Sequence, residues 1–249
     1  MFKTIYILWL RQLKKYFRSP ARIIGSLGQP LLFMVALGYG FGSVFQRAGE
    51  GNYLEFLVPG IVAMSILFTA IFSGIEIIWD RQFGFLKETL VAPVSRFEIM
   101  IGRSLGGATV AVLQGTIVLI ISLFFGFTIY NYYMLALAFI FMLMVALLFT
   151  ALGTAIASLL EDMQGFQLIM NFLVMPVFFL SGALFKLQDL PAIINTITRA
   201  NPLTYGVDAL RGALTGSSQI SLTTDFIVLG IVIVALNALG AYLFSKIQI

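Results

Sequence analysis

The chain of 249 residues has no cysteine and no histidine, and only 10% of its residues are charged. Without cysteine there is neither a disulfide framework nor a thiolate nucleophile. Without histidine the commonest general base and a frequent metal ligand are missing too. No GxxxxGKS or GxxxxGKT run occurs, and no other glycine-rich loop opens a soluble helix, so ATP binding through a phosphate loop is excluded. Soluble domains carry about 25% charged residues. This composition excludes that class and leaves an integral membrane domain spanning 1–249, with no room for a soluble one.

What is present is apolar surface: 60% of the residues, including 24 phenylalanines. Crossing the hydrocarbon core takes about 20 mostly apolar residues. Six stretches qualify, at 23–45, 54–78, 104–127, 134–160, 167–185 and 226–245. The fifth contains Gln167, Asn171 and Pro176, which predicts a kinked or broken helix. Residues 1–22 do not read as a signal peptide, because cations are scattered through them. Phe2, Ile5, Trp9, Leu13 and Tyr16 recur at helical spacing, which predicts an amphipathic helix in the headgroup region, ended at Ser19-Pro20.

The cations set an orientation. With the N-terminus inside, Lys3, Arg11, Lys14, Lys15, Arg18, Arg22, Arg81, Lys87, Arg96, Arg103 and Lys246 are cytoplasmic, and only Arg47, Lys186, Arg199 and Arg211 are outside. The positive-inside rule therefore predicts both termini in the cytoplasm of a multi-pass cell-membrane protein. Gly38 and Gly42, Gly102 and Gly106, and Gly107, Ala111 and Gly115 give small-xxx-small spacing for close helix packing. The halves differ in loop length, which disfavours an inverted-repeat transporter.

The stretch 79–96, WDRQFGFLKETLVAPVSR, concentrates five charges between two apolar runs. Phe83, Leu86 and Leu90 share one face of a short helix expected over Arg81–Val91. Pro93 stops it, and Ser95 with Glu98 forms a capping box that opens the third span. Such a unit suits docking into a groove on a soluble protein. The alternative is a connector lying on the headgroups. Farther along, Asp189 with Pro191 and Asn201 with Pro202 each start a short helix on the outer side. The second carries an apolar stripe of Leu203, Val207, Leu210 and Leu214, closes at Gly216, and places Asp208 and Arg211 as i, i+3 partners. These helices either rest on the outer leaflet or re-enter the membrane. Glu76 is the one carboxylate placed near the inner end of a span, as either an intramembrane acid or an interfacial one.

The run YLEFLVPGIVAMSILFTAIFSGIEIIWDRQFGFLKETLVAPVSRFEIMIGR, with Pro59-Gly60, Asn201-Pro202 and Tyr205, resembles the permease subunit of type 2 ATP-binding-cassette exporters. The daunorubicin-resistance type is the most similar group. The resemblance covers essentially the whole chain. It implies an all-α integral membrane protein with an N-terminal interfacial helix, six transmembrane helices, a cytoplasmic coupling helix and short outer helices before the last span. It implies that Arg81, Phe85, Lys87, Glu88, Pro93 and Arg96 contact two copies of a soluble ATPase, which would hold the ATP and Mg, and that a second permease copy completes a homodimer. Glu76, Asn171, Pro176 and Tyr205 become candidate gate or pathway residues. Gln82 and Phe83 precede Gly84, where family members often carry an acid, so individual salt bridges depart from the pattern.

The leading expectation is thus a non-enzymatic export permease for an amphipathic drug, lipid or lipid-linked glycan, with no catalytic, metal or nucleic-acid site of its own. The alternative is an ATP-independent secondary transporter or channel. That reading requires a buried titratable relay or a charge ring, and Glu76 is its one candidate.

Overall fold

In the computed structural model, residues 2–47, 51–85, 94–187 and 191–246 are described, and every described element is helical. In chain order the helices are α1 (Phe2–Phe17), α2 (Pro20–Arg47), α3 (Tyr53–Phe72), α4 (Ile75–Gln82), α5 (Arg96–Phe124), α6 (Leu135–Leu159), α7 (Met163–Phe179), α8 (Ala192–Ala200), α9 (Pro202–Thr215) and α10 (Leu222–Ser245). A short 3₁₀ turn, Tyr132–Met134, leads into α6.

The caps read from the sequence are made. The Ser95 hydroxyl accepts from the Glu98 N–H at 3.2 Å, and the Asn201 side chain accepts from the Leu203 N–H at 3.0 Å with Pro202 in the first turn. Gly216 closes α9 in the left-handed region at φ 74°.

The centre of the bundle is α3. From Phe56 to Leu67 every residue is buried, because α2, α5, α6 and α9 all pack against it. By contrast α2 buries only Pro30 and Met34 along its length, and α10 buries four residues, so most of both helices faces outward. The span expected at 54–78 breaks at Ser73-Gly74 into α3 and α4. There Gly74 lies so close to the Gly153 backbone of α6 that a Cβ on either residue would strike main chain.

Among the described residues, five helical stretches are long and apolar enough to cross a membrane: Pro20–Arg47, Tyr53–Gln82, Arg96–Phe124, Tyr132–Leu159 and Leu222–Ser245. The expected fifth span is the one that does not reach this length. In place of 167–185, α7 has 17 residues and stops at Phe179, roughly 25 Å at 1.5 Å per residue. Its end is fixed by a turn through Ser181 and Gly182, the latter at φ 74°, which folds Ala183 and Leu184 back into the core.

Two expectations change, and the N-terminal helix makes a contact that its amphipathic pattern did not specify. It packs along α5, where Gly102 faces Ile5 and Leu8 and Gly106 faces Gln12, so this small-residue pair serves packing within the chain. No single helix starts at Arg81: Arg81 and Gln82 end α4, and Gly84 at φ 80° turns the chain. The rest of that expected helix lies outside the described residues. Finally, α9 does not rest on a surface. Its stripe of Leu203, Val207, Leu210 and Leu214 is buried against α3, α6 and α10. The more exposed of the pair is α8, with Ile193 and Ile197 outward; Asp189 lies outside the described residues.

Candidate functional site

At the α1 end of the bundle, Glu76 and Asp80 stand one turn apart on α4, and Arg11 and Lys15 stand one turn apart on α1. The i, i+4 spacing puts each pair on one helix face, and the two faces meet. Arg11 donates from Nη1 and Nη2 to the two Asp80 oxygens at 3.2 and 2.9 Å. Arg103 of α5 donates to Asp80 from the other side at 2.5 Å. Lys15 reaches Glu76 at 3.2 Å and Arg22 reaches it at 3.3 Å. Asp80 and Arg103 are almost completely buried, while Arg11, Lys15 and Arg22 remain partly exposed. Charge-assisted bonds of this kind are the strong ones, and here they tie α1, α2, α4 and α5 together.

The same end carries two arginine caps. Arg81 donates to the carbonyls of Leu160 at 3.1 Å and Ser158 at 3.4 Å, and Gln82 donates to the Glu161 carbonyl at 3.2 Å. Arg96 donates to the Ser245 carbonyl. Each guanidinium thus sits on the unpaired carbonyls and negative dipole end of a helix, α6 in one case and α10 in the other. Four aromatic side chains stand exposed around them: Trp79, Phe83, Phe85 and Phe97. Arg11 also lies over the Phe85 ring at 5.8 Å. Of the residues expected to meet a partner, Arg81, Phe85 and Arg96 are at this end, and Lys87, Glu88 and Pro93 lie outside the described residues.

The candidate gate residues are not gathered in one place. Glu76 belongs to the ion-paired cluster just described. Asn171 and Pro176 are exposed on α7. The Tyr205 hydroxyl donates to the Arg199 carbonyl at 2.8 Å, beside the start of α9. Pro176 and Tyr205 are linked indirectly through Asn201, which the sequence marked as a cap. Its Nδ2 donates to the Val177 carbonyl at 2.6 Å, so one side chain finishes α7 and begins α9.

The far end holds a second buried polar group. Arg211 donates to the Phe56 carbonyl at 3.2 Å and the Gly182 carbonyl at 3.0 Å, with its guanidinium 4.0 Å from the Phe56 ring centre. Burial pushes the Arg211 pKa down to about 10 against the nearby Asp208 charge, which leaves it a cation at neutral pH. The expected Asp208–Arg211 pairing is corrected: Asp208 accepts instead from the Gln219 and Ile220 N–H groups at 2.9 and 2.8 Å. The loop after Gly216 folds back over α9 and offers two aligned amides to the carboxylate. Sequence reasoning also missed Asp225, which is fully buried with neither oxygen hydrogen-bonded among the described residues.

The ABC-2 type transporter family pattern matches residues 3–215. The chain is 29% identical over 261 residues to the transport permease Ycf38 of Cyanophora paradoxa, covering 98% of this chain and 89% of that protein. It is 29% identical over 213 residues to Nodulation protein J of Rhizobium leguminosarum bv. trifolii, covering 85% and 78%. It is 27% identical over 234 residues to the inner membrane transport permease YadH of Escherichia coli, covering 92% and 89%. A bundle of apolar helices, most of its length matched by one family and paralleled by permeases end to end, leaves one assignment: the chain belongs to the ABC-2 type transporter family, as a transport-permease subunit.

Proposed function

We propose that this subunit exports an amphipathic cargo (a drug, a lipid or a lipid-linked glycan) using ATP hydrolysed by a separate ATPase, and that it works as a homodimer with both termini in the cytoplasm. The segment 81–96 is the coupling element in this reading, with Arg81, Phe85, Lys87, Glu88, Pro93 and Arg96 as its contact set. The observation that carries the reading is how the ends of that segment are anchored. On one side Asp80 is bonded to α1 and α5, and Arg81 to the end of α6; on the other, Arg96 is bonded to the end of α10. A push on this segment therefore moves four helices together, as a motor-driven transporter requires. The sequence lacks a phosphate loop, so the motor belongs to another chain. Exposed aromatic rings at this end supply apolar surface for a protein partner.

The ATP-independent alternative gains nothing from Glu76. That carboxylate is held between Lys15 and Arg22, an arrangement suited to anchoring more than to relaying protons.

The test is purification in mild detergent, assayed for a co-purifying ATPase. Arg81 caps α6, so the informative reversals are Lys87→Glu and Glu88→Lys. Retained insertion with loss of the ATPase, or of coupled transport, supports the reading. Cargo movement by the purified subunit without any ATPase overturns it.

A further inference from the structure

Beside the ion-paired cluster, the wall between α2 and α3 is hollow. The cavity has a volume of about 260 Å³ and is lined on one side by Arg22, Ser26 and Gln29 and on the other by Met64, Ser65, Phe68, Thr69 and Phe72. Along α2 the wall is low: Gly25 is exposed, and a Cβ added there would meet nothing within 4 Å. The hollow therefore opens sideways, on the face where α2 leaves the bundle uncovered.

Two independent features suit it to binding. The first is Ser65. Serine and threonine hydroxyls in apolar helices usually bond back to a carbonyl of the preceding turn, as Thr116 and Ser158 do here. Ser65 is 2% exposed, lines the cavity, and its hydroxyl has no hydrogen-bond partner among the described residues. Buried hydroxyls left unpaired are costly and uncommon, and of the three here, Ser65, Ser104 and Thr150, Ser65 is the one that lines this cavity. The second feature is charge. Among the described residues, Arg11, Lys15, Arg22 and Arg103 surround two carboxylates, Glu76 and Asp80, so the cluster at the rim is cationic. Arg22 stands where cluster and cavity meet and bonds Glu76 through Nη1 alone, while a guanidinium has five N–H donors.

We propose that this cavity binds an anionic single-headed amphipath, its phosphate on Arg22 and one hydrocarbon chain along Met64, Phe68 and Phe72, with Ser65 and Thr69 meeting oxygens at the head–chain junction. A fork of guanidinium donors matches a phosphate. The apolar rings below it match a chain and exclude a free inorganic ion as the preferred occupant. A membrane phospholipid and a phosphate-linked lipid cargo share this chemistry. The site does not depend on the ATP-driven reading, because it is defined by this chain alone.

The test uses the whole purified subunit in phosphatidylcholine nanodiscs with two chain-diazirine probes, phosphatidic acid and uncharged diacylglycerol. Irradiation and peptide mapping should place the phosphatidic acid label on Met64–Phe72 with an excess over the uncharged probe of about tenfold, the size of one charge-assisted bond. Arg22→Gln should erase that excess, and Ser65→Leu should remove the label by filling the hollow. Gly25→Leu projects into open space and does the same without disturbing a packed position. Equal labelling by both probes, label spread over the outer faces of α2 and α10, or label unchanged in Gly25→Leu would each overturn the proposal, whether or not an ATPase co-purifies. Competition by excess phosphatidylglycerol identifies a resident lipid, and competition at far lower concentration by an isoprenyl phosphate identifies cargo; either result upholds the site.

Discussion

Asp80 and Arg103 form an ion pair of 2.5 Å in which the side chains are 5% and 4% exposed, the most buried opposite charges in the cluster. Removing one partner of such a pair strands the other charge in an apolar interior. Asp80→Asn should lower stability by about 3–5 kcal/mol, more than the pair itself contributes. Replacing both residues with apolar ones, Asp80→Leu with Arg103→Met, should recover more than half of that loss, since Arg11 is exposed enough to turn to water. Glu76→Gln, whose partners Lys15 and Arg22 are 40% and 43% exposed, should cost only about 0–1 kcal/mol. Thermal unfolding of the three variants in detergent checks the ranking.

That cluster also shows where sequence reading stops. Helix content, most of the apolar spans, the Ser95 and Asn201 caps and the Gly216 stop were legible, because each depends on residues within a turn or two of one another. Spacing within one helix is enough to place Glu76 beside Asp80 and Arg11 beside Lys15. What joins these pairs is the packing of α1 on α5, which no local pattern encodes, and so Arg103 read as one more inner cation. The fifth apolar stretch makes a shorter helix than its hydropathy suggests for a related reason. Hydropathy continues through Leu180–Phe185, but a left-handed glycine and a carbonyl claimed by Asn201 end the helix earlier. Asp208 and Arg211 have the right spacing for a pair, yet tertiary amides and carbonyls offer each a better partner.

Asn201 serves two helices with one amide, and substitution can separate the roles. Asn201→Asp keeps the oxygen that accepts from the Leu203 N–H and loses the donor to the Val177 carbonyl. Asn201→Ala loses both. The alanine variant should be destabilised by about 2 kcal/mol, of which the lost N-cap accounts for roughly half. The aspartate variant should fall between it and the wild type. Hydrogen exchange gives a finer readout: amides at the end of α7 should exchange faster in both variants, and those at the start of α9 only in the alanine variant.

The glycines differ in what surrounds them, so alanine substitutions should sort them. At Gly153 the new methyl would strike the Ile71 main chain, and at Gly74 that of Gly153. Backbone cannot move aside as a flexible side chain does, and each change should cost about 1–3 kcal/mol or more. Gly40 and Gly42 on α2 meet nothing within 4 Å. Alanine at either should raise stability by roughly 0.5–1 kcal/mol through helix propensity. Should Gly42→Ala instead weaken self-association of the purified subunit, that face of α2 is a contact between copies, and the small-residue spacing with Gly38 serves assembly.

Asp225 presents the opposite situation to Asp80. It lies in the first turn of α10, fully buried, and neither of its oxygens has a hydrogen-bond partner among the described residues. The helix dipole favours a negative charge there by a few tenths to about 1 kcal/mol, while burying a carboxylate without a partner costs several. Burial therefore outweighs the dipole, and Asp225→Asn, which keeps the shape and removes the charge, should raise the unfolding temperature at neutral pH. Asp208 is equally buried but accepts two backbone N–H bonds, so Asp208→Asn should lower it. Opposite shifts from the same chemical change at two buried acids would tie the effect to hydrogen bonding instead of net charge. If Asp225→Asn is destabilising, the acid has a partner that the folded single chain does not supply, and a second subunit or a bound cation would be the place to look.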